Sequence, residues 1–438
     1  MNAKKKTLSF ALACLMIIMT FSAAIPAFAE TTFATLGEKD AAMVNDGYVC
    51  RIGDTLETAK YFKYLSMNDE SMTGLNSDNK GSKYLETAVG QDKSDTIVLL
   101  TDITTVKASQ STGNSSKGMV QSYRNNITID GNGHKYTCYA GFTAVQGKKI
   151  TVKNLDIILT GAEVFGSANK GTITFQGCTF TAESGGHNDN GYFAFYNTSS
   201  MIKIIDSTFT INEQKVAAVT SNTIFKATTN NHSIVLNNFK MNIPSSLSAV
   251  NKLAVATECT VNLFDAGNAL GYAAPSIVDG AAIRTADPEG LRFTANNAGT
   301  TANAYGFALA KYTEGFDANN VGNYKKVTID AEDIAVDGTY MLSLVELPDI
   351  TEKFAARAYA EYTVGDGIVT VYSAFDAENN VRSINQVADL IVEEAKAHTT
   401  ADEVYKYEVG ENMYSRYTKS QYDYIVENFA TKENVTPG

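Results

Sequence analysis

The sequence predicts an all-β protein: a capped parallel β-helix, then a further β region and a short helical tail. Three observations carry that expectation. A five-residue string recurs at Ile127 (ITIDG), Ile150 (ITVKN), Ile173 (ITFQG), Ile202 (IKIID) and Ile234 (IVLNN), with a weaker CTVNL at Cys259; the steps are 23, 23, 29, 32 and 25 residues. Within each string the first and third residues are apolar and those between mostly polar, the period-two pattern of a strand with one buried face. The fifth residue is Gly131, Asn154, Gly177, Asp206 or Asn238, types that accept left-handed backbone, so each strand bends there. Beyond the bend a second strand resumes, as in Leu155, Ile157 and Leu159, or Cys178, Phe180 and Ala182. One such coil cannot bury its own apolar face, whereas stacked coils align like residues into columns. Ile127, Ile150, Ile173, Ile202 and Ile234 form one inward column, and six coils at about 4.8 Å each make a rod on the order of 25 Å long.

The elements follow in chain order. Residues 1–29 read as an export signal: Lys4, Lys5 and Lys6 precede an apolar run from Leu8 to about Ala24, and Ala27-Phe28-Ala29 is a small-x-small cleavage site. The mature chain then begins at Glu30. No later stretch is long and apolar enough to span a bilayer, and the final ENVTPG carries no hydrophobic anchor. Residues 30–93 form an N-terminal cap region and 94–279 the coils. Removing the three signal lysines takes the formal charge from −12 to −15, which argues against nucleic acid and anionic lipid as partners. Cys50, Cys138, Cys178 and Cys259 are far apart and lack metal-ligand spacing. Cys178 and Cys259 fall on inward columns as buried thiols, and a bridge between Cys50 and Cys138 near the first coil is left open.

Ahead of the coils stand RIGDTLETA (Arg51 to Ala59), KYLETAV (Lys83 to Val89) and DTIVLLTDITTV (Asp95 to Val106). This order, closed by NGH at Asn132 to His134, resembles the start of exported bacterial proteins of the pectate-lyase-like superfamily, over about Val49 to Ala266. The resemblance implies a right-handed parallel β-helix whose open end is covered by a short helix. The chain departs from the pattern by inserting roughly Lys60 to Lys80.

From Gly280 the texture changes. GAAIRTADPEGLRFTA (Gly280 to Ala295), YGFALA (Tyr305 to Ala310), YMLSLVEL (Tyr340 to Leu347) and FAARAYAEYTV (Phe354 to Val364) alternate as strands, and Gly365-Asp366-Gly367 is a hairpin turn signal. With ARAY and VRSINQVA these strings resemble a β-sandwich module appended to exported proteins of Gram-positive bacteria, which places such a module at 280–398. Ser383-x-x-Gln386 is a capping box, and Ile384, Val387, Ala388 and Ile391 make the buried stripe of the helix it starts. Thr400-x-x-Glu403 and Thr418-x-x-Gln421 are two more, giving a tyrosine-rich helical tail at 399–438.

Pectate-lyase-like enzymes, by the resemblance, carry their chemistry on the outward face of the coils. Lyases place carboxylates there for calcium beside a basic residue; galacturonan hydrolases place several aspartates, a His and an Arg-x-Lys string. The outward positions here are Thr128 and Asp130, Thr151 and Lys153, Thr174 and Gln176, Lys203 and Ile205, Val235 and Asn237, and Thr260 and Asn262. Only Asp130 is acidic, and beside Lys153 it reads as one half of an ion pair. A calcium site or an acid–base pair needs at least two carboxylates in reach, so no catalytic residue, metal or cofactor is expected. His134 falls, in this register, in the column of Ile157, Phe180, Phe209 and Met241, and reads as structural. The loop from Glu183 to Tyr192 stands out, bringing Glu183, His187, Asn188 and Asp189 together as a candidate ligand-binding set on an insertion.

The resulting expectation is a secreted or cell-surface modular protein, non-enzymatic, whose rigid coil face binds a polysaccharide or a cell-wall or host-surface glycan. The alternatives are a polysaccharide lyase or hydrolase with a displaced site, and a structural spacer or adhesin stalk.

Overall fold

The computed structural model describes residues 33–62, 95–104, 120–122, 126–138, 142–144, 147–160, 165–168, 170–184, 192–196, 200–216, 223–227, 232–248, 251–264, 267–278, 280–397 and 417–431. The chain is mostly β, with parallel sheets in its first half and a short helical tail. The expected signal segment lies outside the described residues.

Among the described residues, each of six successive turns of the chain supplies one strand to each of three parallel sheets, and a seventh first-sheet strand follows. The first sheet runs through Asp95–Leu99, Asn126–Asp130, Lys149–Lys153, Thr172–Gln176, Met201–Ile205, Ser233–Asn237 and Thr260–Phe264. The second takes Lys135–Cys138, Asp156–Leu159, Thr179–Ala182, Thr208–Ile211 and Lys240–Asn242, begun by Ile103–Thr104. The third, which the repeat did not reveal, takes Val120–Ser122, Phe142–Ala144, Phe165–Ala168, Phe193–Tyr196, Thr223–Ala227 and Asn251–Val255. The first sheet pairs Ile127, Ile150, Ile173, Ile202 and Ile234 rung to rung, and all are buried. Phe142, Phe193 and Phe225 fill the core from the third sheet, with the last two stacked at 4.7 Å between ring centroids. Each such fully buried aromatic contributes roughly 2–3 kcal/mol of transfer free energy.

The bends obey the sequence at four rungs. Asn154, Gly177, Asp206 and Asn238 have positive φ, and Asn side chains tie neighbouring coils: Asn154 Nδ2 donates to Asp130 Oδ1 at 3.2 Å and Asn238 Nδ2 to Asp206 Oδ1 at 2.9 Å. The second coil differs. Its left-handed residues are Asn132 and Gly133, because its bend is two residues longer: Asp130 pairs Lys153, but Lys135 pairs Asp156. Gly131 is needed for space, since a Cβ there would lie 2.4 Å from the Asn154 carbonyl oxygen. The longer bend overturns the expected place of His134. Tyr136, buried, occupies the column of Ile157, Phe180, Phe209 and Met241. His134 sits on the bend instead, its side chain 30% exposed, with Nδ1 3.3 Å from Asp102 Oδ1. The last rung also starts two residues late: Val261, not Cys259, pairs Ile234.

Among the described residues the first coil's edge is covered by a strand, not by a helix. Cys50–Ile52 pairs antiparallel with Asp95–Leu99 and with Lys60–Phe62. Helix α1 (Leu36–Asn45) buries no residue and is held to that strand through Arg51 Nε and Asp40 Oδ2 at 3.1 Å. KYLETAV lies outside the described residues. Cys50 stands as a buried thiol rather than half of a bridge, and burial pushes it up to about 12; burial likewise pushes the Cys178 thiol up to about 11.

The opposite end of the stack is continued by the C-terminal region. Thr260–Phe264 pairs in parallel with Gly367–Tyr372, and Phe354–Val364, Ala304–Lys311 and Lys325–Ile329 extend the same sheet antiparallel. The hairpin turn is Gly365–Asp366 as expected, and Val364 pairs Gly367. It presses on the last third-sheet strand so closely that a Cβ on Gly367 would lie 2.3 Å from Val255 Cγ1. A second antiparallel sheet, Ser276–Ile277, Gly290–Asn296, Ala282–Arg284 and Thr339–Val345, shares an apolar core with this extension and with helices α2 (Ile384–Ala397) and α3 (Lys419–Phe429). The capping boxes at Ser383 and Thr418 form, and Ile384, Val387, Ala388 and Ile391 are buried. Thr400 and Glu403 lie outside the described residues.

His232, 1% exposed, precedes the rung Ser233–Asn237, and its Nδ1 accepts from the Ser200 N–H at 3.4 Å.

Two outcomes are expected. Ile173→Asp buries a charge between Ile150 and Ile202 and should cost several kcal/mol, about 4, whereas outward Thr174→Asp should stay within about 0.5 kcal/mol; equal losses in urea melts would mean the register is wrong. Burial pulls the His232 pKa down to about 4. The unfolded chain therefore takes up a proton below about pH 6.5 that the folded chain refuses, and stability should fall as pH drops from 6.5 to 4, by roughly 3 kcal/mol from this group. Urea midpoints at pH 7 and pH 4.5 for the native chain and for His232→Asn check this: the variant should lose that part of the acid sensitivity.

Candidate functional site

Outward residues of the first sheet form columns because inward and outward positions alternate. One column reads Thr128, Thr151, Thr174, Lys203, Val235 and Asn262, then crosses into the C-terminal region at Thr370 and Glu361. At its N-terminal end the surface is flat and hydroxyl-rich. Asp130 there accepts from Lys153 Nζ at 3.0 Å and from the Asn132 N–H at 3.0 Å. Partial burial would raise its carboxyl, but these bonds and that from Asn154 outweigh it and hold the group below the usual range.

Over the last rungs the surface becomes a cleft of about 420 Å³. Its floor is Lys203, Val235, Asn262 and Thr370, its far wall Glu361 and Lys326, and its roof the segment from Asn319 to Gly322. That segment is fixed by its own turn chemistry: Asn320 Oδ1 accepts from the Gly322 N–H at 3.2 Å, and Asn323 Nδ2 donates to the Asp317 carbonyl at 2.9 Å. Val321 and Tyr324 pack over Val235, Phe264 and Tyr372, so Val235 is buried although it points outward.

The polar groups of the cleft are pre-positioned. Lys326 Nζ lies 2.6 Å from Glu361 Oε1, donates to Thr370 Oγ1 at 3.1 Å, and sits 4.6 Å from the Tyr359 ring centroid. The Tyr372 hydroxyl donates to Asn262 Oδ1 at 3.3 Å, and its ring stacks on Phe264 at 4.5 Å. Burial raises the pKa of Tyr359, Tyr372 and Tyr324, which keeps these phenols protonated near neutrality. Lys203 has no ion-pair partner among the described residues. Ile368, 48% exposed, adds an apolar patch at the rim. The arrangement offers ammonium, amide and hydroxyl groups beside aliphatic surface. Among the described residues Glu361 is the one carboxylate on the lining, and it is held by Lys326 and Thr370.

Compared with known proteins, the chain matches no family model, no curated protein and no solved structure.

The loop singled out from the sequence follows the second-sheet strand Thr179–Ala182 and precedes the third-sheet strand Phe193–Tyr196. Glu183, at its start, is paired with Lys215 at 2.6 Å, and the Tyr192 hydroxyl donates to the Ser184 carbonyl at 2.6 Å. His187, Asn188 and Asp189 lie outside the described residues. Lys203 and Asn262 were visible as outward positions in the sequence. Thr370, Glu361 and Lys326 were not, because only the pairing of Thr260–Phe264 with Gly367–Tyr372 brings them to the same face; the alternation in GIVTVY is the one local signal. Among the described residues no group of three His, Cys, Asp or Glu side chains is placed to hold a metal ion, and no helix is long and apolar enough to cross a membrane.

Tyr372→Phe should leave the buried Asn262 carbonyl oxygen without that donor and cost about 1 kcal/mol, read as a lower urea midpoint with an unchanged slope.

Proposed function

We propose that this chain is a secreted or cell-surface glycan-binding protein without catalytic activity, in which a right-handed parallel β-helix of the pectate-lyase-like type and a β-sandwich module jointly form the binding cleft. The observation that carries the reading is the cleft on the outward column of the first sheet, where fixed amide, hydroxyl and ammonium groups alternate with Val235 and Ile368. A sugar has the same mixed surface, hydroxyl edges beside C–H faces, and the cleft lies in the usual size range of ligand sites. The rigid roof and the Lys326–Glu361–Thr370 cluster favour binding, because they are ordered before any ligand arrives. The engaged state of Glu361 and the lack of a second lining carboxylate among the described residues weigh against the lyase or hydrolase reading. The export signal read from 1–29 supports the location.

The test uses the mature chain, 30–438, against a panel of neutral and acidic polysaccharides in affinity electrophoresis. Lys203→Glu and Ile368→Asp should weaken retention about tenfold or more with melting unchanged, since both side chains reach the surface. Size-exclusion chromatography after long incubation, with and without calcium, should show glycan chains of unaltered length. Shortened chains or new unsaturated ends would establish the enzyme reading, and no retention of any glycan would leave the spacer. Cutting residues 185–191 to a Gly-Asn turn tests the loop by itself: binding lost there, with the cleft variants intact, would move the site to Glu183, His187, Asn188 and Asp189.

A further inference from the structure

A second cavity, of about 500 Å³, opens on the C-terminal region where the strand Val381–Arg382 meets the start of α2. Its chemistry is unlike that of the cleft. Arg382 is half-buried; Nη1 donates to the Val381 carbonyl at 3.0 Å, while Nε is shut off from solvent with no hydrogen-bond partner. No carboxylate among the described residues lies in ion-pair range of Arg382. Enclosed guanidinium N–H groups are rarely left without an acceptor. Lys353, exposed and with no ion pair among the described residues, faces the same space.

Nearby carboxylates are engaged elsewhere. Asp389 accepts from the Thr431 N–H at 2.8 Å and from Thr431 Oγ1 at 2.6 Å. Asp376 accepts from the Glu378 N–H and from Asn379 Nδ2. Glu378 remains, exposed at the rim. Gln386 uses its carbonyl oxygen to accept from the Ser383 N–H, which turns its amide NH₂ to other use. The remaining wall is aliphatic and aromatic: Val381, Tyr312 and Leu390, the last 39% exposed.

We propose that this cavity binds a small carboxylate ligand with an apolar body, an amino-acid or peptide-end carboxylate, through Arg382 and Lys353. A carboxylate matches the planar fork of the guanidinium, and Arg382 lines the cavity together with the ammonium of Lys353. Burial disfavours the charge on Arg382, and an arriving anion offsets that. The apolar wall of Leu390 and Val381 suits a hydrocarbon side chain better than a hydroxylated ring. The proposal does not rest on glycan binding at the cleft.

The probes are N-acetyl-leucine and its uncharged counterpart N-acetyl-leucinamide, titrated calorimetrically into the mature chain. The acid should bind about tenfold more tightly than the amide. Arg382→Gln and Lys353→Gln should each remove most of that preference, and Lys203→Gln should leave it intact. Lys353 is exposed, so its variant keeps the fold even if Arg382→Gln lowers the melting temperature. Equal binding of acid and amide, an unchanged preference in Lys353→Gln, or no binding of the acid overturns the site. Tighter binding of galacturonate than of N-acetyl-leucine overturns the ligand class.

Discussion

In-register stacking of the coils is the constraint on which everything else depends. A coil has no core of its own, so Ile173 is buried only because Ile150 and Ile202 lie above and below it. A slip of one residue in any rung would turn its apolar set to solvent. The bends hold the phase. At Asn154, Gly177, Asp206 and Asn238 the backbone enters the left-handed region at the same point of successive coils, and Asn–Asp bonds between bends lock one coil to the next.

Stacking leaves an open strand edge at each end, and such an edge invites association. In the first sheet the chain closes the two ends by different means. At the start an antiparallel strand, Cys50–Ile52, turns back across Asp95–Leu99. At the other end a long hairpin, 354–372, joins the sheet and carries a second apolar core with it. The cleft is a by-product of that closure. Lys326 and Glu361 reach the outward face only because the hairpin continues the sheet, and the segment around Val321 folds back over Phe264 and Tyr372.

Much of the coil architecture was legible, because a column of isoleucines with left-handed bend residues has few other meanings. The third sheet was not. Its strands, such as Phe142–Ala144 and Phe193–Tyr196, are short, are spaced irregularly by loops and carry no shared string. His134 was misplaced because two extra residues in one bend leave the alternation intact while shifting which residue faces inward; Tyr136 had an equal claim to the column. The site was half legible: Lys203 and Asn262 follow from the strand period, but pairing between segments more than a hundred residues apart leaves no trace in either string. Nothing in the sequence singled out Arg382 as a site residue, since only the fold encloses its Nε.

The parallel seam between Thr260–Phe264 and Gly367–Tyr372 has a consequence for how such a chain can diversify. The C-terminal region pairs with the final coil and packs Val321 and Tyr324 over Val235 one coil further in, while the cleft draws on the last three rungs before the seam. Coils nearer the start can therefore be duplicated or deleted as whole units, lengthening or shortening the reach of the molecule by one interstrand spacing, about 4.8 Å, per event. Length and recognition are under separate genetic control: one is set by copy number, the other by a handful of point substitutions near the seam.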